Sequence, residues 1–174
     1  GIFNIEEFQN ALRLTTIASD IINDAASYHV KDIAQISPEF RTIGVGYCNL
    51  GALLMRKGIP YDSDKGRALT GAITAFMTGA VYETSIEMAE KLEPFTHFEF
   101  NRKPFIEVMK KHQTNLEKVA WSEVPDDIKS ASYDSWARVV QKGEAFGFRN
   151  AQASVLAPTG TISFLMHADT TGIE

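Results

Sequence analysis

The sequence predicts an α/β fold in which helices far outnumber strands. Two observations carry this expectation. Five stretches show apolar residues at helical spacing, and only two short stretches, 41–47 and 153–157, gather the β-branched and apolar residues of buried strands. Two short strands flanked by helices leave their edges unpaired, so part of a sheet is expected to be missing from this chain.

The elements follow in order. Asn4 stands as a cap three residues before Glu7, and Phe8, Leu12, Leu14, Ile17, Ala18, Ile21, Ile22 and Ala25 continue the apolar stripe of a first helix. Residues 26–40 lose that period and contain Pro38, so no element is expected there. Arg41 to Tyr47 places Ile43, Val45 and Tyr47 around Gly44 and Gly46, which reads as a short buried strand. Leu50, Leu53 and Leu54 then mark a helix over 49–57, stopped by Gly58 and Pro60.

A long helix is predicted from Asp64, after Ser63 as its cap, to about Lys91, before Pro94. Its stripe of small residues, Ala68, Gly71, Ala72, Ala75 and Gly79, lets another backbone approach closely, and tight helix packing is preferred over a cofactor groove. Further helices are predicted over 101–119, with Phe105, Met109, His112 and Leu116 on one face, and over 130–146, with Trp136, Val139 and Val140 inside and Gly147 at its end. A polar connector, 121–127, separates them. No repeat or linker divides the chain, so residues 1–174 are read as a single segment.

Composition excludes several classes. The chain has 174 residues, 44% of them hydrophobic, enough for one sizeable core. Its formal net charge of -5, with 17 scattered Lys and Arg, argues against direct DNA binding through phosphate neutralisation. The longest uncharged run, 68–82, is too short and too interrupted by glycine to span a membrane. A lone cysteine, Cys48, excludes an internal disulfide and a cysteine-based zinc site and fits a cytoplasmic chain. His29, His97, His112 and His167 have no ligand-like spacing, Glu83, Glu87 and Glu90 fall on one helical face with solvated neighbours and lack the histidine of a di-iron pattern, and Asp62 and Asp64 read as helix-start carboxylates, so no metal site is predicted.

One stretch carries chemistry. Ser154-Val-Leu-Ala157 reads as a buried strand ended by Pro158, and Thr159 or Thr161 can cap a following helix through Ile162, Phe164 and Leu165. Amide N–H groups at such a helix start attract an anion, Gly160 leaves room for a phosphate, and two threonine hydroxyls add hydrogen bonds. The turn has no lysine and no P-loop pattern. On residue chemistry alone, an ordinary capped turn in a helical module remains open.

The segment Arg149-Asn-Ala-Gln-Ala-Ser-Val-Leu-Ala-Pro-Thr-Gly-Thr-Ile-Ser163, followed by Asp169-Thr-Thr-Gly-Ile-Glu174, resembles the substrate-phosphate loop and adjoining segment of the ribonucleotide reductase catalytic subunit, closest to the adenosylcobalamin-dependent branch. Arg41-Thr-Ile-Gly-Val-Gly-Tyr-Cys-Asn-Leu-Gly-Ala-Leu-Leu-Met55, Gly58-Ile-Pro-Tyr-Asp-Ser63, Gly66-Arg-Ala-Leu69 and Ala72-Ile-Thr-Ala-Phe-Met-Thr-Gly79 resemble that branch in the same order. Asp24-Ala-Ala-Ser-Tyr28 and Ile33-Ala-Gln35 extend the likeness over nearly the whole chain.

The resemblance implies a helix-rich portion of a ten-stranded α/β barrel in which a cysteine radical and a cysteine pair convert ribonucleotides to deoxyribonucleotides. It implies that Pro158, Thr159, Gly160, Thr161, Ile162 and Ser163 hold the phosphates of a ribonucleoside di- or triphosphate, with Thr171 to Glu174 a neighbour of the pocket. It implies adenosylcobalamin as cofactor, with no contact assignable. Cys48 is not the radical cysteine, since Leu50 stands where the radical motif needs a glutamate; it is expected to be a buried structural thiol. No catalytic residue is therefore assigned, and the isolated chain is expected not to turn over. The chain is read as an internal segment, its finger loop upstream of Gly1 and its last motif continuing past Glu174. The alternative is a non-catalytic stand-alone or split-gene chain that binds a nucleotide or completes a partner.

Overall fold

The computed structural model describes residues 3–174. Its helices are α1 (Ile5–Ala25), α2 (Lys31–Phe40), α3 (Leu50–Arg56), α4 (Asp64–Leu92), α5 (Phe98–Asn115), α6 (Asp126–Phe146) and the single turn α7 (Ile162–Leu165). Short 3-10 turns at Leu116–Lys118 and Trp121–Glu123 join α5 to α6.

Helix α4 is the axis of the body. It is buried nearly all round, with Ala72, Ile73, Phe76, Met77, Val81 and Ile86 at most 1% exposed. A helix apolar on every side must be enclosed by others, and α1, α6 and the 3-10 turn at 121–123 pack directly on it. The small-residue stripe serves that packing: a Cβ at Gly79 would meet the Ser135 hydroxyl at 2.7 Å and the Trp136 indole nitrogen at 3.2 Å. Ser63 caps α4 as predicted, its hydroxyl accepting the Gly66 amide at 3.0 Å, and Asp62 and Asp64 both pair with Arg67. Asn4 caps α1 in the same way through the Glu7 amide.

Two apolar clusters fill the interior. One gathers Phe95, Phe98, Trp136, Val139 and Phe148 beneath α4, α5 and α6, and the other Leu50, Leu54, Leu69, Ile73 and Ile128 at the α3 end. Burying each large side chain contributes about 1.5–3 kcal/mol.

Four expectations are corrected. Among the described residues the two predicted strands form no sheet: 41–47 and 153–157 lie parallel, joined by one bridge between Val45 and Ser154. The register is nonetheless that of neighbouring parallel strands, with the Val45 amide donating to Ala153 O at 2.9 Å and the Val155 amide to Val45 O at 3.0 Å. Each run has one partner and an otherwise empty edge, so the ladder does not extend. Second, residues 31–40 form α2 in spite of Pro38, which stands in its last turn; none of its side chains is buried, which is why no apolar period marks it. Third, α6 begins at Asp126, four residues before its predicted start, and α5 starts at Phe98 and ends at Asn115. Fourth, Glu83 and Glu87 do not form a merely solvated face: Glu83 pairs with Arg138 of α6 at 2.6 Å and Glu87 with Arg13 of α1 at 2.6 Å.

Candidate functional site

The candidate loop is delivered by a buried polar joint. Arg41 ends α2 in a left-handed conformation (φ 50°) and turns its guanidinium back to Asp20 of α1, with bonds of 2.9 and 2.8 Å, and to Asp24. Asn150 is fully buried and donates to Asp20 at 2.8 Å and to Arg41 O at 3.0 Å, while its amide is held by the Ser85 hydroxyl of α4 at 3.0 Å. Arg149 donates to the carbonyls of Leu92 and Glu93 at the end of α4. The joint fixes where the chain leaves the body before running alongside 43–45. Arg41 holds the Asp24 carboxyl below the usual carboxylate range by hydrogen bonding.

Beyond the bridge, the chain turns at Pro158 and Thr159. Thr159 is left-handed (φ 54°), an uncommon conformation for a β-branched residue. Its hydroxyl accepts the Gly172 amide at 2.8 Å and keeps its own proton for a further acceptor. Gly160 is open, with no atom within 4 Å of where a Cβ would stand. The amides of Gly160, Thr161 and Ile162 donate to no protein acceptor among the described residues. Pro158, Gly160, Thr161 and Ile162 are exposed and Thr159 is half-buried, so five of the six residues predicted to hold phosphate lie on the outer side of one turn, with Ser163 buried beneath it.

Two details differ from the sequence expectation. Neither threonine hydroxyl caps α7: Thr161 occupies the cap position without a side-chain bond, and the Ser163 amide instead reaches Thr159 O at 3.0 Å. Ser163 is buried and its hydroxyl donates to Gly160 O at 3.1 Å, so it shapes the turn and has no proton left for a ligand. No lysine or arginine follows Arg149, and Asp169 and Glu174 are the acids nearby in sequence. Arg56 of α3 reaches Asp169 at 3.4 Å, while the donors on the turn itself are its backbone amides and threonine hydroxyls.

Sequence reasoning missed what holds the loop from behind. Asn49 is left-handed (φ 72°), and its carboxamide oxygen accepts the amides of Asp169 and Thr170. The Gly51 amide bonds Glu174 O at 3.1 Å, and the Tyr61 hydroxyl bonds Ile173 O at 2.6 Å. An asparagine just after a predicted strand was the available signal, because asparagine tolerates that conformation.

The other candidates lie elsewhere. His97 pairs with Glu39 at 2.8 Å, His112 stacks on Trp136 with its pKa lowered by desolvation and then by Lys111, and His29 and His167 are exposed. Cys48 is half-buried rather than buried. No group of three or more His, Cys, Asp or Glu able to hold a metal occurs among the described residues. None of their helices is long and apolar enough to cross a membrane. A hollow of about 590 Å³ lies between α4, α5 and residues 154–156, is mostly apolar, and is lined by no residue of the 158–163 turn. The turn, unlike this hollow, presents backbone amides without protein acceptors.

The family model described as "Ribonucleotide reductase, barrel domain" matches residues 1–174. The vitamin B12-dependent ribonucleotide reductase of Rhodopirellula baltica is 44% identical over 174 residues, covering 100% of this chain and 17% of that protein. That of Agrobacterium fabrum is 41% identical over 186 residues, covering 98% and 15%. That of Streptomyces coelicolor is 44% identical over 173 residues, covering 99% and 18%. The chain thus spans less than a fifth of the length of these three relatives.

Proposed function

Because the chain belongs to the ribonucleotide reductase family and lies within its barrel domain, we propose that it contributes the substrate-phosphate turn of a reductase converting ribonucleotides to deoxyribonucleotides. The observation that carries this reading is the exposed turn at 158–163, where three consecutive amides have no protein acceptor and Gly160 leaves the approach open. A ribonucleoside di- or triphosphate would place its phosphate oxygens against the amides of Gly160, Thr161 and Ile162 and accept from the hydroxyls of Thr159 and Thr161. Pro158 sets the entry to the turn, and Ser163 braces it from inside.

The parallel register of 43–45 and 152–155 supports membership of a ten-stranded α/β barrel, with residues 1–174 as one segment of it. Apolar side chains left outside fit a body completed by further barrel elements, on the same polypeptide or on a second chain. Leu14, Ile21 and Ile22 of α1 are each more than 60% exposed, and Phe164 and Leu165 of α7 at least 80%. The second reading, a non-catalytic chain that completes a partner, draws on the same surfaces.

The relatives are vitamin B12-dependent enzymes, which supports a cobalamin, adenosylcobalamin, as the cofactor of the reductase. The described residues do not fit it: their imidazoles are paired, stacked or isolated, and the hollow of about 590 Å³ between α4 and α5 suits a drug-sized molecule rather than a corrin. No step is derived through it. Radical and reductive chemistry need cysteines other than Cys48, so the isolated chain does not turn over, and dithiol-driven formation of deoxyribonucleotide by it would contradict this.

Titration with ADP and with adenosine, following the amide resonances of the chain, tests the reading. Saturable shifts at Gly160 and Thr161 with ADP but not adenosine are expected, at an affinity of ~1 mM, since the turn itself carries no lysine or arginine. Equal response to both ligands, or none, would refute it.

A further inference from the structure

The turn that faces solvent is strained, and the restraint that holds it comes from a part of the chain more than a hundred positions away. Thr159 and His167 are non-glycine residues at positive φ, and Gly172 also lies there, so the segment 159–172 is not held by regular backbone geometry. It contains one helical turn, α7, whose apolar side chains point outward. What fixes it is side-chain bonding. Asn49 meets the Asp169 amide at 2.9 Å and the Thr170 amide at 3.1 Å. Two N–H donors face this carboxamide, so only its oxygen can lie between them, and both of its lone pairs are used. The Thr170 hydroxyl in turn accepts the Ala52 amide at 3.4 Å. Tyr61 grips Ile173 O, and Gly172, between these anchors, donates to the Thr159 hydroxyl.

The path from Asn49 to the turn is therefore short: Asn49 to Asp169 and Thr170, two residues on to Gly172, and across one hydrogen bond to Thr159. We infer that Asn49, seconded by Tyr61, is a positioning residue for phosphate binding, holding residues 169–173 so that Gly172 locks Thr159 and aims the Gly160 and Thr161 amides at the ligand. This rests on the phosphate reading of the turn. Asn49 touches no ligand itself; it acts by removing alternative conformations of the turn, so that binding does not have to order them.

Asn49→Gly isolates the side chain, since glycine adopts φ 72° without strain and only the acceptor is lost. The probe is inorganic pyrophosphate, titrated into the 174-residue chain while the Gly160 and Thr161 amides are followed. Amide exchange at Asp169 and Thr170 is read in parallel. N49G is expected to bind pyrophosphate about tenfold more weakly, equivalent to ~1.4 kcal/mol, and to exchange faster at 169 and 170 while α4 and α6 keep their protection. Asn49→Asp keeps the accepting oxygen; compared with the parent chain in the same high-salt buffer, where its added charge is screened, it is expected to bind as the parent does. If N49G does not fold, Tyr61→Phe replaces it, at a side chain 55% exposed, with a weakening of about threefold expected for one lost hydrogen bond.

Binding unchanged in N49G or Y61F, or exchange at 169 and 170 unchanged in N49G, overturns the assignment while leaving the phosphate turn standing. Weakening in N49D equal to that in N49G also overturns it, because the acceptor would then not matter. A parent chain with no saturable pyrophosphate shift refutes the turn as a phosphate site, and the assignment of Asn49 falls with it.

Discussion

The helical body and the segment 153–174 are held by different forces. In the body, α4 is enclosed by α1 and α6, and Phe98, Trp136, Val139 and Phe148 are at most 2% exposed. In the C-terminal segment Ile162, Phe164, Leu165 and Met166 face outward, and the backbone is tied down by the side chains of Asn49, Tyr61 and Thr159. Apolar burial resists single changes poorly but keeps one geometry; a few hydrogen bonds on an exposed turn leave it the part most readily opened. The residues proposed to bind phosphate lie in this exposed segment, and the body supplies the fixed reference.

The comparison breaks most visibly in the core. Phe148→Ala removes a ring packed against Phe98, Phe105 and Tyr82, and a loss of about 3–5 kcal/mol in unfolding free energy is expected by denaturant titration. Arg41→Ala removes the hydrogen-bonded guanidinium of the buried Asp20 carboxylate, leaving it the Asn150 side-chain amide and the Arg149 guanidinium at 3.5 Å, with an expected cost of about 3 kcal/mol, and the loss belongs to both regions because the same joint launches 150–155. Gly79→Val forces the α4 and α6 backbones apart, at about 1–3 kcal/mol, measured as a lowered thermal midpoint.

The effects shrink outside the body. Thr159→Val removes the hydroxyl that Gly172 bonds; global stability should stay within about 0.5 kcal/mol of the parent, while amide exchange at Gly172 accelerates. A larger global loss would mean that the segment and the body unfold together. The smallest effect concerns Glu87, whose carboxyl is held below its ordinary pKa by hydrogen bonding to Arg13. Its folded-state pKa lies under the unfolded one, so the stabilisation is present above the unfolded carboxylate range and lost as pH falls through the folded value. Both partners are more than a third exposed, so Arg13→Met should cost no more than ~0.5 kcal/mol at neutral pH, and that difference should vanish in acid.

Much of the body is legible in the sequence because amphipathic period and capping chemistry act locally. Asn4, Ser63 and Gly147 each mark a helix end where they were expected. Helix α2 was not legible because a helix that buries nothing carries no apolar period. The two strand runs were read from their composition without being paired with each other, and neither forms a strand: a strand exists only with partners on its edges, and here each run has one bridge to the other. At the turn, the residues facing solvent were legible from Pro158 to Ile162, whereas the cap assigned to the threonines was not, since strain at Thr159 redirects its hydroxyl to Gly172. Asn49 could not be linked to residues 169 and 170 from spacing at all, because 120 positions separate Asn49 from Asp169.

The most direct test of the account is amide hydrogen exchange across the chain with and without a saturating ribonucleoside diphosphate. Slowed exchange confined to Gly160, Thr161 and Ile162, extending to Gly172 through the Thr159 hydroxyl, is the predicted result. Protection at the hollow between α4 and α5 instead, or no protection anywhere, would contradict the assignment of the turn as the phosphate site.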